Sequence, residues 1–340
     1  MQTSDNRYDE TALSRLASEL DVSRSTVSKV LRHCFGVDTE TRQRVLRAAK
    51  GINELRPTRT CSVYCIIPDM PSFFWQKMWR GIGDAITSPG PGAESVVKCN
   101  AYSRLHDEET VLSYLDEAEY MDARCVIIAA AVTDAVNERV SALCADTSRF
   151  VILLSEYADI QNAFYVGADS YGNGRRMAEH AMKYMRNLAY RPDIFMLSLG
   201  SNFNISERIN GFRDAMSGYS PVTLPLDPER MYSPKTLPSY LASLMTDVVP
   251  GDRESLLYVP MGLPALSLAL KKSGLGDKVR CFCHDIRPEQ GQWTPDGTIA
   301  YRCTQDIYNQ GFTAVDLAFG YLKNRVYPDN KRVIVESVFS

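Results

Sequence analysis

Near the start of the chain, apolar residues recur at helical spacing in three short stretches. They cover residues 12–20, 23–32 and 39–50. Ser23 is placed to cap the second predicted helix, and either Asp38 or Thr39 begins the third. Two short helices joined by a tight turn, with a third helix that buries their apolar faces, predict a helix-turn-helix domain.

Beyond Pro57 the pattern changes to short, continuously apolar runs separated by amphipathic stretches. The predicted buried strands are residues 62–68, 96–101, 125–131 and 150–155, then a second series at 164–169, 194–200, 255–260 and 279–285. The predicted helices are residues 74–86, 108–118, 134–145, 174–185, 207–216, 235–248 and 264–272. Two βα series in succession predict an α/β fold with two doubly wound parallel-sheet lobes. We expect a ligand cleft between the lobes, at the carboxyl ends of the strands.

These patterns predict how the chain divides into domains. A helix-turn-helix domain, here called the head, covers residues 1–57, a short connection covers residues 58–61, and a two-lobed α/β domain covers residues 62–340. Within it, the first lobe is predicted at about 62–158 plus 304–325, and the second at about 159–303 plus 326–340. A length of 340 residues is sufficient for one small head and a two-lobed core.

The net charge of −3 at first argues against a nucleic-acid partner. The charge is unevenly distributed, however: residues 1–59 carry 11 Lys and Arg against 8 Asp and Glu, whereas the remainder carries 27 against 33.

The polar face of the second predicted helix bears short hydroxyls and cations and no acidic residue. The candidate DNA-contacting residues are Ser23, Arg24, Ser25, Thr26, Ser28 and Lys29. Hydroxyls at a helix N-terminus suit phosphate oxygens, and Arg24 and Lys29 have the reach to read guanine edges. The alternative is a three-helix cap with no role in DNA binding.

The segments LASELDVSRSTVSKVLR and VDTETRQRVLRAA resemble the DNA-binding head of the LacI/GalR family of bacterial repressors. The resemblance assigns Arg24, Ser25 and Lys29 to base-reading positions, and the hydroxyls of Ser23, Thr26 and Ser28 to phosphate contacts. Further blocks resemble the family's effector domain, which is similar to type I periplasmic binding proteins. They are IIPDMPSFFWQKMWRGI, VGADSYGNGRRMAEHA, SERINGFRDAM, FCHDI and CTQDIYNQGFTAVDLAFGYL. The resemblance implies a repressor in which residues 1–57 are the DNA-binding domain for double-stranded operator DNA and residues 58–61 are a shortened hinge. Residues 62–340 would then be the effector-binding and dimerisation domain, with a small carbohydrate-like effector. The two-fold logic of helix-turn-helix recognition implies a homodimer.

The resemblance also indicates which residues contact the effector. These are Asp69, Phe74, Arg208 and Asp285, with Phe164, Asp169 and Gln305 as further candidates. Asp69 ends a predicted strand, and its alternative role is to cap the following helix. Arg208 is predicted in the first turn of a helix, where a cation opposes the helix dipole. A ligand oxygen would explain that placement, and a solvent-facing arginine is the alternative. His284 precedes Asp285 on a strand and should point to the opposite face.

Two segments depart from the family pattern. The family has a Pro-Asn segment and a short helix between the head and the core, and here that connection is about ten residues shorter, nearly three helical turns. We hypothesise that this chain lacks a folding hinge helix, so that DNA contact rests on the head alone. The second departure is at residues 258–262, Tyr-Val-Pro-Met-Gly, where the family usually has an Asn-Asp pair. This change favours an effector with an apolar face, or no effector at all.

The remaining features narrow the class of protein. The nine cysteines include no C-x-x-C pair and mostly lie in apolar runs, which indicates buried, reduced thiols in a cytoplasmic protein. We expect no signal peptide, no membrane segment, no metal site and no cofactor. No motif for nucleophilic, phosphoryl-transfer or metal-dependent catalysis appears, so we expect no enzyme activity. The alternatives to a ligand-controlled regulator are a solute-binding protein of a transport system and a regulator controlled by a protein partner.

Overall fold

A computed structural model describes most of the chain. The described residues are 8–32, 36–56, 61–70, 72–88, 96–102, 107–129, 133–198, 203–227, 230, 235–263, 265–286 and 298–340. They form two compact units, Met1–Gly167 with Ile307–Val333, and Ala168–Asp306 with Ile334–Ser340. The predicted hinge, residues 58–61, lies outside the described residues except for Cys61.

Three helices open the first unit, α1 (Glu10–Glu19), α2 (Arg24–Leu31) and α3 (Thr39–Lys50). Each helix is capped by the residue just before it, whose side-chain oxygen accepts the backbone N–H three residues later. The capping residues are Asp9, Ser23 and Asp38, with N···O distances of 2.7, 3.0 and 2.8 Å. Their apolar faces form one buried core, and a 3₁₀ turn at Asn53–Leu55 adds the fully buried Leu55. The three predicted helices and the cap at Ser23 are confirmed, and Asp38 rather than Thr39 is the third cap.

The first unit continues as a six-stranded sheet with four helices. The elements are β1 (Val63–Pro68), α4 (Phe73–Thr87), β2 (Val97–Tyr102), α5 (Glu108–Tyr120), β3 (Cys125–Ile128), α6 (Asp134–Cys144), β4 (Phe150–Leu154), β5 (Ala163–Gly167), α11 (Ile307–Asn324) and β11 (Arg332–Ile334). The strand order is β11-β5-β4-β3-β1-β2. Strands β1 to β5 pair in parallel. All residues of β1, β3, β4 and β5 are buried, as their continuous apolar runs predict.

The second unit has its own six-stranded sheet. The elements are α7 (Ser170–Met185), β6 (Ile194–Ser198), α8 (Phe203–Ala215), β7 (Val222–Pro225), α9 (Leu237–Val248), β8 (Ser255–Val259), α10 (Leu266–Ser273), β9 (Val279–His284), β10 (Ile299–Gln305) and β12 (Ser337–Phe339). The order is β12-β10-β9-β8-β6-β7, and only β12 pairs antiparallel among these strands. The short strands β7, β11 and β12 are not among the predicted elements, because three or four mostly exposed residues leave no apolar run.

The predicted lobe boundary near residue 158 is wrong. The strand at Phe164 was expected to open the second series, but β5 pairs with β4, with Ile152 opposite Phe164. The first unit therefore extends to Gly167. The stretch 326–333 was also expected in the second lobe, and it belongs to the first unit because β11 joins the edge of the first sheet beside β5. Strand pairing decides both boundaries, between consecutive strands for β5 and between distant segments for β11. Within the described ranges, none of the helices has the length and apolarity needed to cross a membrane.

Candidate functional site

The six candidate DNA-contacting residues lie on one side of α2. All are exposed or half-buried, whereas Val27, Val30 and Leu31 on the opposite side are buried in the core of the head. The Ser23 hydroxyl caps the helix and lies 2.8 Å from the Ser25 hydroxyl and 2.7 Å from that of Thr26. The N-terminal turn of α2 therefore presents clustered hydroxyls at the positive end of the helix dipole, which is chemistry that suits phosphate oxygens.

A glutamate from the neighbouring helix faces this surface. Arg24 Nη1 lies 2.9 Å from Glu10 Oε2, and both side chains are more than half exposed. An exposed ion pair of this kind contributes about 0–1 kcal/mol, so a phosphate or a base edge can displace it. The sequence pattern missed this partner because Glu10 belongs to a different helix.

The head is attached to the rest of the first unit through α3 and α5. Tyr120, at the end of α5, is buried in the core of the head, and its hydroxyl donates a hydrogen bond to the Leu55 carbonyl. Lys50 Nζ lies 3.1 Å from Glu119 Oε1. Arg139 Nε donates to Asp116 Oδ1 at 2.7 Å, and the Arg139 guanidinium also pairs with Glu119. The Tyr120 and Lys50 contacts join the head to α5, and the Arg139 contacts hold α5 against α6, whereas the polar face of α2 stays exposed or half-buried.

In the second unit, a buried arginine organises the predicted effector residues. Arg208 is 3% exposed, and its Nη1 donates to Asp285 Oδ2 at 2.9 Å and to the Pro260 carbonyl at 2.7 Å. Its Nε–H has no hydrogen-bond partner among the described residues. The predicted place in the first helical turn is wrong, because α8 begins five residues earlier, at Phe203. The solvent-facing alternative is also wrong.

Asp285 and Gln305 complete this cluster at the carboxyl ends of β9 and β10. Asp285 follows β9 with a left-handed backbone, φ 52°. Its carboxylate accepts from Arg208 and from Gln305 Nε2 at 2.9 Å, and from the Gln305 backbone N–H at 3.3 Å. The Asp285 side chain keeps 17% of its surface exposed. The structure thus brings together three of the predicted residues at the edge where parallel sheets bind ligands.

A second layer of buried polar groups lies behind the cluster. His284 is fully buried, with Nε2 2.9 Å from the Tyr258 hydroxyl. The Tyr258 ring stacks on Phe212 with centroids 4.0 Å apart, and its hydroxyl lies 3.3 Å from the Arg208 carbonyl. Burial, reinforced by the Arg208 charge, holds the pKa of His284 well below its usual value. The imidazole is therefore neutral. Position 258 attracted notice in the sequence only as a departure from the family pattern.

The other four candidates are Asp169 in the second unit and Asp69, Phe74 and Phe164 in the first unit. In the second unit, Asp169 is exposed and caps α7, accepting the Gly172 N–H at 3.0 Å. In the first unit, Asp69 is exposed after β1, and Ser72 caps α4, so the helix-cap alternative for Asp69 is wrong. Phe74 is half-buried and edge-on to Trp75.

Phe164 belongs to the core of the first unit. It is 8% exposed, its ring stacks on Tyr327 with an interplanar angle of 5°, and Phe150 contacts it edge-on at 4.9 Å. Packing accounts for this ring, and its predicted contact with a ligand gains no support from the structure. The described residues also contain no group of acidic, histidine or cysteine side chains that could hold a metal ion.

The fold recurs among known proteins. A family model described as the periplasmic binding protein domain matches residues 63–325. The chain belongs to the periplasmic binding protein domain family. No curated protein matches it.

Solved structures show the same fold at low sequence identity. A glucose-galactose binding protein from Geobacillus stearothermophilus is 14% identical, with a TM-score of 0.67 over 83% of this chain and 98% of that chain. A carbohydrate transporter solute binding protein from Agrobacterium Radiobacter, in complex with D-arabinose, is 18% identical, with a TM-score of 0.65 over 82% and 94%. A proposed LacI transcriptional regulator from Bacteroides fragilis is 15% identical, with a TM-score of 0.62 over 83% and 97%.

Membership of the periplasmic binding protein domain family bears out the coarser part of the LacI/GalR resemblance, the fold of the core. The family match begins at residue 63, after the head. The comparisons therefore describe the part of the chain that contains Arg208 and Asp285. They do not describe the helix that carries the candidate DNA contacts.

Proposed function

We propose that this protein is a DNA-binding transcriptional regulator whose periplasmic-binding-protein-like part binds a small carbohydrate-like molecule. The observation that carries the proposal is the exposed face of α2, with clustered hydroxyls at its N-terminus, two cations and no acidic residue of its own. A single head offers few base contacts, so the protein acts as a homodimer on double-stranded operator DNA. We place it in the cytoplasm and assign it no reaction.

The ligand proposal rests on the Arg208–Asp285–Gln305 cluster. A carboxylate with residual exposure, an amide and a guanidinium with an unpaired Nε–H supply acceptors and donors for hydroxyl groups. One relative was solved with D-arabinose and another is a glucose-galactose binding protein. We infer a sugar-like ligand for this chain. Pro260 and Met261 stand where the family usually has an Asn-Asp pair, which favours a ligand with an apolar face.

A second candidate function is solute binding for a transport system. The comparisons favour this candidate over the regulator, because most of the similar structures are sugar-binding or transport proteins. Both candidates share the proposed ligand site, and they differ only in what the head does.

DNA binding separates the two candidates. We expect the full chain to bind a selected operator in a mobility-shift titration, with an affinity that falls as salt rises. Arg24→Ala should relax operator preference, whereas Thr26→Ala should weaken specific and random DNA about equally. Arg15→Ala, an exposed arginine of α1, is the matched control and should change neither. No DNA binding at low salt would overturn the regulator and leave the solute-binding candidate.

A thermal-shift screen of sugars, sugar phosphates, polyols and nucleosides tests the ligand proposal. A ligand at one hundred times its Kd stabilises the folded state by about 2.7 kcal/mol. A stabilising compound should lose its effect in Asp285→Asn. A flat response across the screen would refute the small-molecule effector and favour control by a protein partner.

A further inference from the structure

Two cysteines of the first sheet stand directly opposite each other. Cys65 on β1 and Cys99 on β2 are register partners in a parallel pair, so their side chains lie on the same face of the sheet. Neighbouring strands are separated by about 4.8 Å. A disulfide needs Cα atoms about 4.4–6.8 Å apart. The spacing of the two strands therefore falls within the Cα range of a disulfide, with both side chains on the same face of the sheet.

The two thiols differ in access to solvent. Cys65 is fully buried on β1, between β3 and β2, whereas Cys99 is exposed on β2, the last strand in the sheet order. The other six cysteines that the structure describes are all buried. Cys99 corrects the expectation of buried thiols, and it is the cysteine of the described set that a dissolved oxidant can reach.

The pKa of Cys99 also distinguishes it from buried cysteines. The pKa of Cys99 is lowered, chiefly because the adjacent Cys65 thiol can donate a hydrogen bond to its sulfur. Burial instead raises the pKa of Cys144 to about 11 and that of Cys125 to about 12. Cys99 is thus the exposed thiol with the greater thiolate fraction, and the thiolate is the reactive form.

We propose that Cys99 and Cys65 form a peroxide-reactive dithiol, in which Cys99 is oxidised first and Cys65 resolves it. The Cys99 thiolate attacks the terminal oxygen of a hydroperoxide. An S–O bond forms, the O–O bond breaks, and the alcohol leaves after taking up a proton. The Cys65 sulfur then attacks the Cys99 sulfenic acid, an S–S bond forms, and the hydroxyl leaves as water with the Cys65 proton. Two thiols and one hydroperoxide yield a disulfide, an alcohol and water.

The chain supplies its own comparison pair. Cys281 and Cys283 lie two residues apart on β9, on one face of the second sheet, and they are 0% and 2% exposed. Like Cys65 and Cys99, these two cysteines are close to each other, but neither is accessible to solvent. Cys61 is near the dithiol, but it is buried and donates to the Val63 carbonyl at 2.9 Å.

The experiment treats the full chain with hydrogen peroxide, alkylates the remaining thiols and maps the tryptic peptides without reduction. We expect a linkage between the peptide of residues 60–77 and that of residues 99–104, reversed by dithiothreitol. The first peptide also contains Cys61, so Cys61→Ser must retain the linkage. Cys65→Ser must abolish it and leave Cys99 as a sulfinic acid. Cys283→Ser is the control and should change nothing.

Two results would overturn the proposal. One is a linkage that survives Cys65→Ser or disappears in Cys61→Ser, which would assign the bridge to Cys61. The other is a Cys99 that stays as unreactive toward peroxide as Cys281 and Cys283. Circular dichroism of each variant before oxidation shows whether the fold is intact. The outcome is independent of the proposed DNA and ligand binding.

Discussion

Replacing Tyr120 should weaken the attachment of the head to the first unit. Tyr120 is 4% exposed and belongs to the head's hydrophobic core, although it lies on α5. Its hydroxyl donates to the carbonyl of Leu55, a fully buried residue. The side chain therefore stabilises the head and its contact with the sheet at the same time, and we expect its removal to affect both.

The expected magnitudes differ between two substitutions. Tyr120→Ala deletes a buried aromatic ring, which typically costs about 3–5 kcal/mol of unfolding free energy. Tyr120→Phe keeps the ring and removes only the hydroxyl that satisfies the Leu55 carbonyl, at a cost of about 1–3 kcal/mol. The Lys50–Glu119 ion pair also joins the head to α5, but it is partly exposed and contributes too little free energy to compensate for the loss of Tyr120.

Urea unfolding gives the free energies, and hydrogen exchange of the α3 amides reports on the head itself. Tyr114→Phe is the matched control, because Tyr114 lies on the same helix and its hydroxyl also donates to a carbonyl, that of Ala101, at 3.2 Å, but at an exposed site. We expect it to cost about 0.5 kcal/mol or less. Equal losses for Tyr120→Phe and Tyr114→Phe, or unchanged exchange of α3 in Tyr120→Ala, would refute the reasoning.

Three further predictions concern the second unit. Gly174→Ala should destabilise by about 1–3 kcal/mol in urea unfolding, because its Cβ would overlap the Arg208 backbone carbonyl. His284, buried and neutral, gains its proton only on unfolding. Stability should therefore fall as pH drops below about 6.5, by up to about 1.4 kcal/mol per pH unit, as urea midpoints at successive pH values would show. Asp285→Asn should cost about 3 kcal/mol, measured in the same way, because it leaves the buried Arg208 guanidinium without its carboxylate.

Each of these predictions has a control or a refuting outcome. Gly83→Ala, on α4 with open space around its Cα, should stabilise by about 0.5–1 kcal/mol instead, so equal signs for the two glycine variants would refute the packing argument. The acid dependence assigned to His284 should shrink in His284→Asn, and an unchanged slope would assign it to other groups. If Asp285→Asn is as stable as the parent protein, the hydrogen bond to the Pro260 carbonyl is enough to stabilise the buried Arg208, and the argument from the ion pair is refuted.

The parts predicted correctly share a local cause. Ser23 caps α2 because a serine just before an apolar helical pattern can accept an N–H three residues on, and only neighbouring residues take part. The parallel strands β1, β3 and β4 were predictable because continuous apolar runs indicate burial on both faces of a sheet.

The errors and omissions share a different cause. Phe164 was given to the wrong unit because a strand's apolar run does not say which strand it pairs with. The burial of Arg208 against Asp285 was not predicted, because the two residues are 77 positions apart in the chain. Tyr120 was unremarkable in the sequence because its partners in the head lie far away in the chain.

The sequence alone therefore determined the helices of the head, the cap at Ser23, the polar face of α2 and the α/β character of the remainder, because periodicity and capping act over a few residues. Only the tertiary structure decided which sheet β5 joins, how Arg208, Asp285 and Gln305 meet, and that Cys65 faces Cys99. Those features depend on strand register and burial, which bring together residues that are far apart in the chain.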